Sequence, residues 1–326
     1  MIILVGDVGG THTRLALLEV WEGHLQIVTK KVYRSADYAS LEDIAAEYLA
    51  AVDAKCKTAC FGIASPIKQQ TCRIINLPWL VDAAVIKARL ELEKIWLIND
   101  LEAAAWGIAE LDQDDFCTLQ EGSSDASGNR CIIAAGTGLG EAGLYWDGTC
   151  HHPFATEGGH AGFAPRNALE FDLFKHLTKS FGHVSWERLL SGSGLVAIYH
   201  FLLMRNMQPV PAWLADANHE AAAISQAAID HTCTTSIAAL DLFVTLYGVE
   251  AGNLALKHMA MGGVYIGGGI APKILPKLQD DAFLDAFNNK GRMEPLMQAM
   301  PVTAILNENV ALYGQARYAW VQANAV

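Results

Sequence analysis

Twice along this chain a short apolar run enters a glycine-rich turn and leaves it as a second strand-like run. Residues 2–5 lead into Gly6-Asp7-Val8-Gly9-Gly10-Thr11 and on to an alternating run over 13–20. Residues 131–135 lead into Gly136-Thr137-Gly138-Leu139-Gly140 and on to 142–146, where Asp147-Gly148 makes a hairpin turn. The first copy is followed by a third strand over 25–34, a helix opened by Ser40-Leu-Glu-Asp43, a strand over 59–64 stopped by Ser65-Pro66, and a helix over 81–92. The second follows a polar loop over 120–129. It leads to helical segments over most of 167–257, a strand over 261–266, Gly267-Gly268-Gly269 opening a helix with Pro272 at its start, a strand over 302–306 and a helix over 309–321. Between the copies lies Trp96-Leu-Ile-Asn99-Asp100-Leu101, an apolar strand ending in two polar residues at the start of an Ala-rich helix. One α/β unit therefore occurs twice, as structure rather than as a sequence repeat. Two such halves facing each other make a cleft, with the chain crossing between domains more than once.

Residue chemistry points the same way. Glycine turns let backbone N–H groups converge on an anion without Cβ obstruction, and Thr11 and Thr137 add hydroxyl donors. Two turns, one per half, with Gly267–Gly269 before a helix, suit the phosphates of one nucleotide. Asn99 and Asp100 stand at a strand's carboxyl end, where open α/β sheets bind ligands, although either could simply cap the helix. Thr156-Glu157-Gly158-Gly159-His160 lets a carboxylate and an imidazole share a space, which suits a polyhydroxylated ligand. Ile237, Leu240, Val244, Tyr247, Ala251 and Leu254 form a helical stripe and read as core.

Several classes are excluded. Gly138-Leu-Gly-Glu-Ala-Gly143 matches a dinucleotide-binding pattern, but a strand follows it where that pattern needs a helix. No Gly-Lys-Ser/Thr, His-Glu-x-x-His or Gly-x-Ser-x-Gly occurs. A net charge of −12 argues against nucleic acid and anionic membranes. The N-terminus reads as a strand rather than a leader. The 7 cysteines lack any Cys-x-x-Cys spacing and read as scattered reduced thiols of a cytoplasmic protein, not as disulfides or a zinc site.

Taken in order, Asp7-Val-Gly-Gly-Thr11, Ile98-Asn-Asp100, Ala135-Gly-Thr-Gly-Leu-Gly140, Glu157-Gly-Gly-His160, Glu187-Arg-Leu-Leu-Ser-Gly-Ser-Gly194 and Gly262-Gly-Val-Tyr-Ile-Gly-Gly-Gly-Ile-Ala-Pro272 resemble the bacterial ATP-dependent glucokinases of the hexokinase, heat-shock chaperone and actin superfamily. The resemblance spans essentially the whole chain. It implies an α/β, actin-like ATPase (ribonuclease H-like) two-lobed fold with duplicated mixed sheets and an interdomain cleft. A smaller domain would comprise residues 1–110 plus 307–326, and a larger one 111–306. It further implies transfer of the ATP γ-phosphoryl group to the 6-hydroxyl of glucose. Asp100 would be the base, and Asn99, Glu157, His160 and Glu187 would hold the sugar. Gly6, Asp7, Val8, Gly9, Gly10, Thr11, Gly136, Thr137 and Gly138 would line the phosphates, and Gly268 and Gly269 the adenosine. Asp7 would approach Mg²⁺, and the enzyme would be a cytoplasmic homodimer. His12-Thr13-Arg14 departs from the Asn-Ala-Arg common in these enzymes, and the cysteine-rich zinc motif of the related ROK kinases is missing. A kinase for another hexose or a hexosamine, or an actin-like or chaperone-like ATPase, remains the alternative at this point.

Overall fold

A computed structural model describes residues 1–74, 77–215, 217 and 219–324. The chain divides into two compact units. Unit 1 is Met1–Gln113, Pro153–Ala155 and Asn307–Val326; unit 2 is Asp114–His152 and Thr156–Leu306.

Unit 1 holds β1 (Ile2–Val8), β2 (His12–Trp21), β3 (His24–Arg34), β4 (Thr58–Ile63), β5 (Thr71–Arg73), β6 (Leu80–Asp82) and β7 (Lys94–Asn99). A five-stranded mixed sheet runs β3-β2-β1-β4-β7, with β1–β2 and β2–β3 antiparallel and β1–β4 and β4–β7 parallel. Both faces are covered. Ile3, Val5, Cys60 and Ile98 pack against Ala103, Leu312 and Ala316 on one side, while Leu4, Leu15, Phe61 and Leu97 pack against Ile44, Tyr48 and Ile86 on the other. Two-sided burial is why the central strands β1 and β4 read as apolar runs rather than alternating ones. The helix predicted over 81–92 starts only at Ala83. Leu80–Asp82 pairs with β5 instead, and the Asp82 carboxylate caps the helix by accepting from the Ala84 N–H at 2.7 Å.

Unit 2 holds β8 (Phe116–Gln120), β9 (Arg130–Ala135), β10 (Leu139–Trp146), β12 (Gly263–Gly267) and β13 (Val302–Ile305); with β11 (His151–Ala155), which the division of the chain splits after His152, they form a sheet ordered β11-β10-β9-β12-β13-β8. Antiparallel pairing joins β9 to β10, and β12 is parallel to both β9 and β13. The series β11-β10-β9-β12-β13 thus repeats the order β3-β2-β1-β4-β7, with β8 added at the edge. Strands β8 and β11 escape the sequence reading because they are short and half-exposed, without a continuous apolar signal.

The helix Thr234–His258 runs through the core of unit 2. Leu240, Val244, Tyr247, Ala251 and Leu254 are buried as the periodicity predicts, and Ile237 packs at the margin. Among the described residues this is the helix long and apolar enough to cross a membrane by length and composition, yet 67% of its most apolar window is buried within the protein.

Candidate active site

In unit 1 the first glycine stretch is shorter as a turn than its sequence suggests. Gly6, Asp7 and Val8 belong to β1, paired with Leu15, Arg14 and Thr13 of β2. Gly6 is wedged between Leu15 and Phe61, so a Cβ there would strike both. The turn proper is Gly9–Thr11. It is closed by Gly9 N–H donating to His12 O at 3.0 Å, and supported from below by Ser35. The buried Ser35 hydroxyl donates to Gly9 O at 2.9 Å and lies 3.0 Å from the Thr13 hydroxyl, while its N–H donates to Thr11 O. Ser35 went unremarked in the sequence because its partners lie more than twenty residues away.

Asp7 is half-buried at the carboxyl end of β1. Desolvation pushes its pKa up, against the pull of the Arg14 guanidinium. Arg14 itself donates to Glu308 O at 2.8 Å.

Strands β1, β4 and β7 end at one level: Val8 pairs with Ile63, and Ile63 with Asn99. The Gly9–Thr11 turn and Asn99-Asp100 therefore share the carboxyl edge of the sheet, two strand spacings or about 10 Å apart. Asn99 is the cap of the helix Asp100–Gly107, its Oδ1 accepting from Leu101 N (3.0 Å) and Glu102 N (3.2 Å). That leaves the Asn99 amide nitrogen as the group it can offer to a hydroxyl. Asp100 Oδ1 accepts from Leu101 N at 2.9 Å.

The junction is held from behind by the helix Val310–Asn324. A Cβ on Gly314 would collide with Ala103 O, and one on Gly107 with Val310 O, so the two helices touch backbone to backbone. Arg317 pairs with Glu110 through two contacts, Nε–Oε1 at 2.5 Å and Nη2–Oε2 at 2.7 Å.

In unit 2 three separate segments converge. His160 Nε2 lies 3.8 Å from Glu157 Oε2, and His160 Nδ1 lies 3.9 Å from Glu187 Oε1. Glu187 Oε2 accepts from Leu139 N at 3.2 Å, and a Cβ on Gly138 would strike that same carboxylate. Gly136 N–H donates to Gly138 O at 2.8 Å, closing the second glycine turn. Gly192 N–H, at the start of the helix Gly192–Arg205, donates to Gly136 O at 2.9 Å. This brings the positive end of a helix beside the turn. Ser191 caps that helix through Gly194 N and also donates to Glu187 O at 2.8 Å.

The third glycine turn lies alongside. Gly267 pairs with Ala134 across the parallel strands β12 and β9. Gly268 has φ +84°, and a Cβ there would meet the Ala135 backbone. Tyr247, read from sequence only as core, places its hydroxyl 3.2 Å from Ile133 O and 3.3 Å from Gly267 O, and accepts from Ala135 N at 3.2 Å. It ties together the two strand ends from which Gly136–Gly138 and Gly268–Gly269 depart.

Beneath the Glu157–His160 loop lies Glu141, 1% exposed. A Cβ on Gly158 would collide with its carboxyl, one on Gly159 with Leu139 O, and Glu141 Oε1 has no hydrogen-bond partner. Desolvation, reinforced by Glu250, raises its pKa to about 8.

The arrangement can be set beside known proteins. The glucokinase family model matches residues 4–322. The chain belongs to the glucokinase family. A glucokinase of Nostoc punctiforme is 42% identical over 333 residues, spanning 97% of this chain and 98% of its own. The crystal structure of a glucokinase from an Antarctic psychrotroph superposes with a TM-score of 0.83 at 32% identity, covering 98% of each chain. A glucokinase from Balamuthia mandrillaris, solved in complex with glucose, superposes at 0.82 over 98% of this chain and 93% of its own; at 20% identity it supports the fold alone.

Proposed function

We propose that this chain transfers the γ-phosphoryl group of ATP to the 6-hydroxyl of glucose, giving glucose 6-phosphate and ADP, with Asp100 as the base. Membership of the glucokinase family supports the reaction and the sugar. The single observation that carries the residue assignment is Glu187, which accepts from the Leu139 N–H directly after the Gly136–Gly138 turn, lies against Gly138, and faces His160 and, beyond it, Glu157. One carboxylate thereby joins a phosphate-type turn to a cluster that suits sugar hydroxyls. In this reading Glu157, His160, Glu187 and the Asn99 amide hold the sugar. Gly6–Thr11 and Gly136–Gly138 line the phosphates, and Gly268 and Gly269 face the adenosine.

The chemistry is mainly positioning and charge stabilisation. As the sugar oxygen bonds to the γ-phosphorus and the bond to ADP breaks, the hydroxyl proton passes to Asp100 and later to solvent. Few cations are available for the polyphosphate: Arg14 and His12 flank the first turn, and residues 136–140 carry no basic side chain. Asp7, an oxygen donor whose burial disfavours its bare charge, suits Mg²⁺, which prefers carboxylate and phosphate oxygens. When bound, Mg²⁺ supplies neutralisation of the charge on the transferring group. We further propose a cytoplasmic homodimer; family resemblance supports the dimer, and seven free thiols support a reducing compartment.

A coupled ADP-release assay over a panel of hexoses and hexosamines tests the reading. Glucose is expected to give the highest kcat/KM. A hexosamine or another hexose exceeding it would overturn the assignment, as would ADP release independent of any sugar.

A further inference from the structure

Outside the site just described, the hairpin between β10 and β11 gathers three metal-type donors. Sequence spacing gives no hint of them, because Asp147-x-x-Cys150-x-His152 lacks any paired thiols. Folding brings Cys150 Sγ to 3.4 Å from His152 Nε2 and 3.6 Å from Asp147 Oδ2, and His152 Nε2 to 2.6 Å from that same oxygen. The turn locks the carboxylate. Asp147 Oδ1 accepts from Thr149 N (2.7 Å) and Cys150 N (2.9 Å), which directs Oδ2 at the other two donors. Gly148, at φ +98°, and the Asp147 N–H to Cys150 O bond of 3.2 Å complete the turn. The neighbouring His151 is turned elsewhere, its ring 4.6 Å from Trp146 and its Nε2 on Gly128 O. All three donors are exposed to solvent.

We propose that Asp147, Cys150 and His152 form a surface site for a borderline-soft divalent cation of the Zn²⁺ type, separate from the nucleotide's cation. With Zn–S near 2.3 Å and Zn–N or Zn–O near 2.0 Å, tetrahedral coordination places sulfur about 3.5 Å from the other donors. Cys150 already stands at that spacing. Only the hydrogen-bonded Asp147–His152 pair has to open, by about 0.7 Å, to the roughly 3.3 Å of a tetrahedral edge. Three protein ligands leave the fourth position to water. Binding converts the Cys150 thiol to a metal thiolate and releases its proton to the buffer; the proton that bonds His152 Nε2 to Asp147 also leaves that atom, so Nε2 binds through its lone pair and the neutral ring carries its one proton on Nδ1. A thiolate and an imidazole are poor ligands for Mg²⁺, so millimolar Mg²⁺ does not compete.

The full chain is titrated with Co²⁺, which takes the same geometry and reports thiolate ligation by near-ultraviolet charge transfer, and with Zn²⁺ against a chromophoric chelator. One ion should bind with the charge-transfer band, in the presence of excess Mg²⁺. Cys150→Ala should abolish the band. His152→Ala should weaken Zn²⁺ binding by at least about tenfold, since loss even of an outer partner costs about 10–100-fold. Asp147→Asn, which keeps the turn's acceptor, should weaken it while leaving the melting temperature unchanged. A band that survives Cys150→Ala, absence of any band in the unmodified chain, or Zn²⁺ affinity indifferent to His152→Ala and Asp147→Asn would each overturn the site.

Discussion

Glu141→Gln tests how a buried acid supports the loop that bears Glu157 and His160. In the folded protein Glu141 holds its proton up to a pKa of about 8, against 4.5 for an ordinary glutamate. Between these values the folded state binds a proton that the unfolded chain has released, so stability falls as pH rises. At neutral pH the gap is about 2.5 units, or about 3 kcal/mol of stability lost relative to pH 4.5, at about 1.4 kcal/mol per unit. Glutamine keeps the shape and has no proton to lose. Its extra N–H needs a partner, at a cost of about 1–3 kcal/mol if none forms, so the net change at neutral pH is small. The slope is the discriminating quantity. From about pH 5 to 7.5 the unmodified protein should lose stability one proton more steeply than Glu141→Gln. Glu250, also raised by burial, contributes to both proteins. Lys290, lowered to about 8 by burial, titrates above this window. Urea unfolding midpoints across the pH series provide the measurement. Because the Glu141 carboxyl lies against Gly158, its ionisation above pH 8 should also raise the glucose KM of the unmodified protein and not of the variant. Parallel stability profiles for the two proteins would refute the reasoning.

Asp100→Asn should lower kcat by about 10²–10⁴-fold while glucose still binds by calorimetry; since the helix is capped by Asn99, folding should be preserved, and a kcat within about threefold of the unmodified enzyme would remove Asp100 as base. Chelation with excess EDTA should abolish activity and added Mg²⁺ restore it, and full turnover in EDTA would reject a divalent ion on the phosphates. Gly314→Ala should destabilise by about 1–3 kcal/mol, the usual cost of overpacking, read as a lowered melting temperature, because its Cβ would meet Ala103 O; an unchanged melting temperature would mean the helices separate at no cost.

Features that depend on neighbours in the chain could be read from residues alone. Glycine turns, the strand-to-helix junction at Asn99-Asp100, the Asp147-Gly148 hairpin and the stripe of Thr234–His258 each follow from local backbone freedom, capping or periodicity. The duplication of the unit was legible for the same reason, since each copy announces itself by an apolar run and a glycine turn, whereas the order of the strands in the two sheets, with β11 completing the second series, was not. What lay beyond the sequence were contacts between segments far apart in the chain. Local patterning did not show that Asp7 sits within β1, or that Ser35 supports the Gly9–Thr11 turn. It could not place Tyr247 under two strand ends, Glu187 on the Gly138 turn, or Glu141 beneath Gly158. Each of these joins residues whose only relation is the register of a sheet or the packing of a helix on it. That register arises from burying both sheet faces at once, a condition satisfied by the whole chain and by no stretch of it.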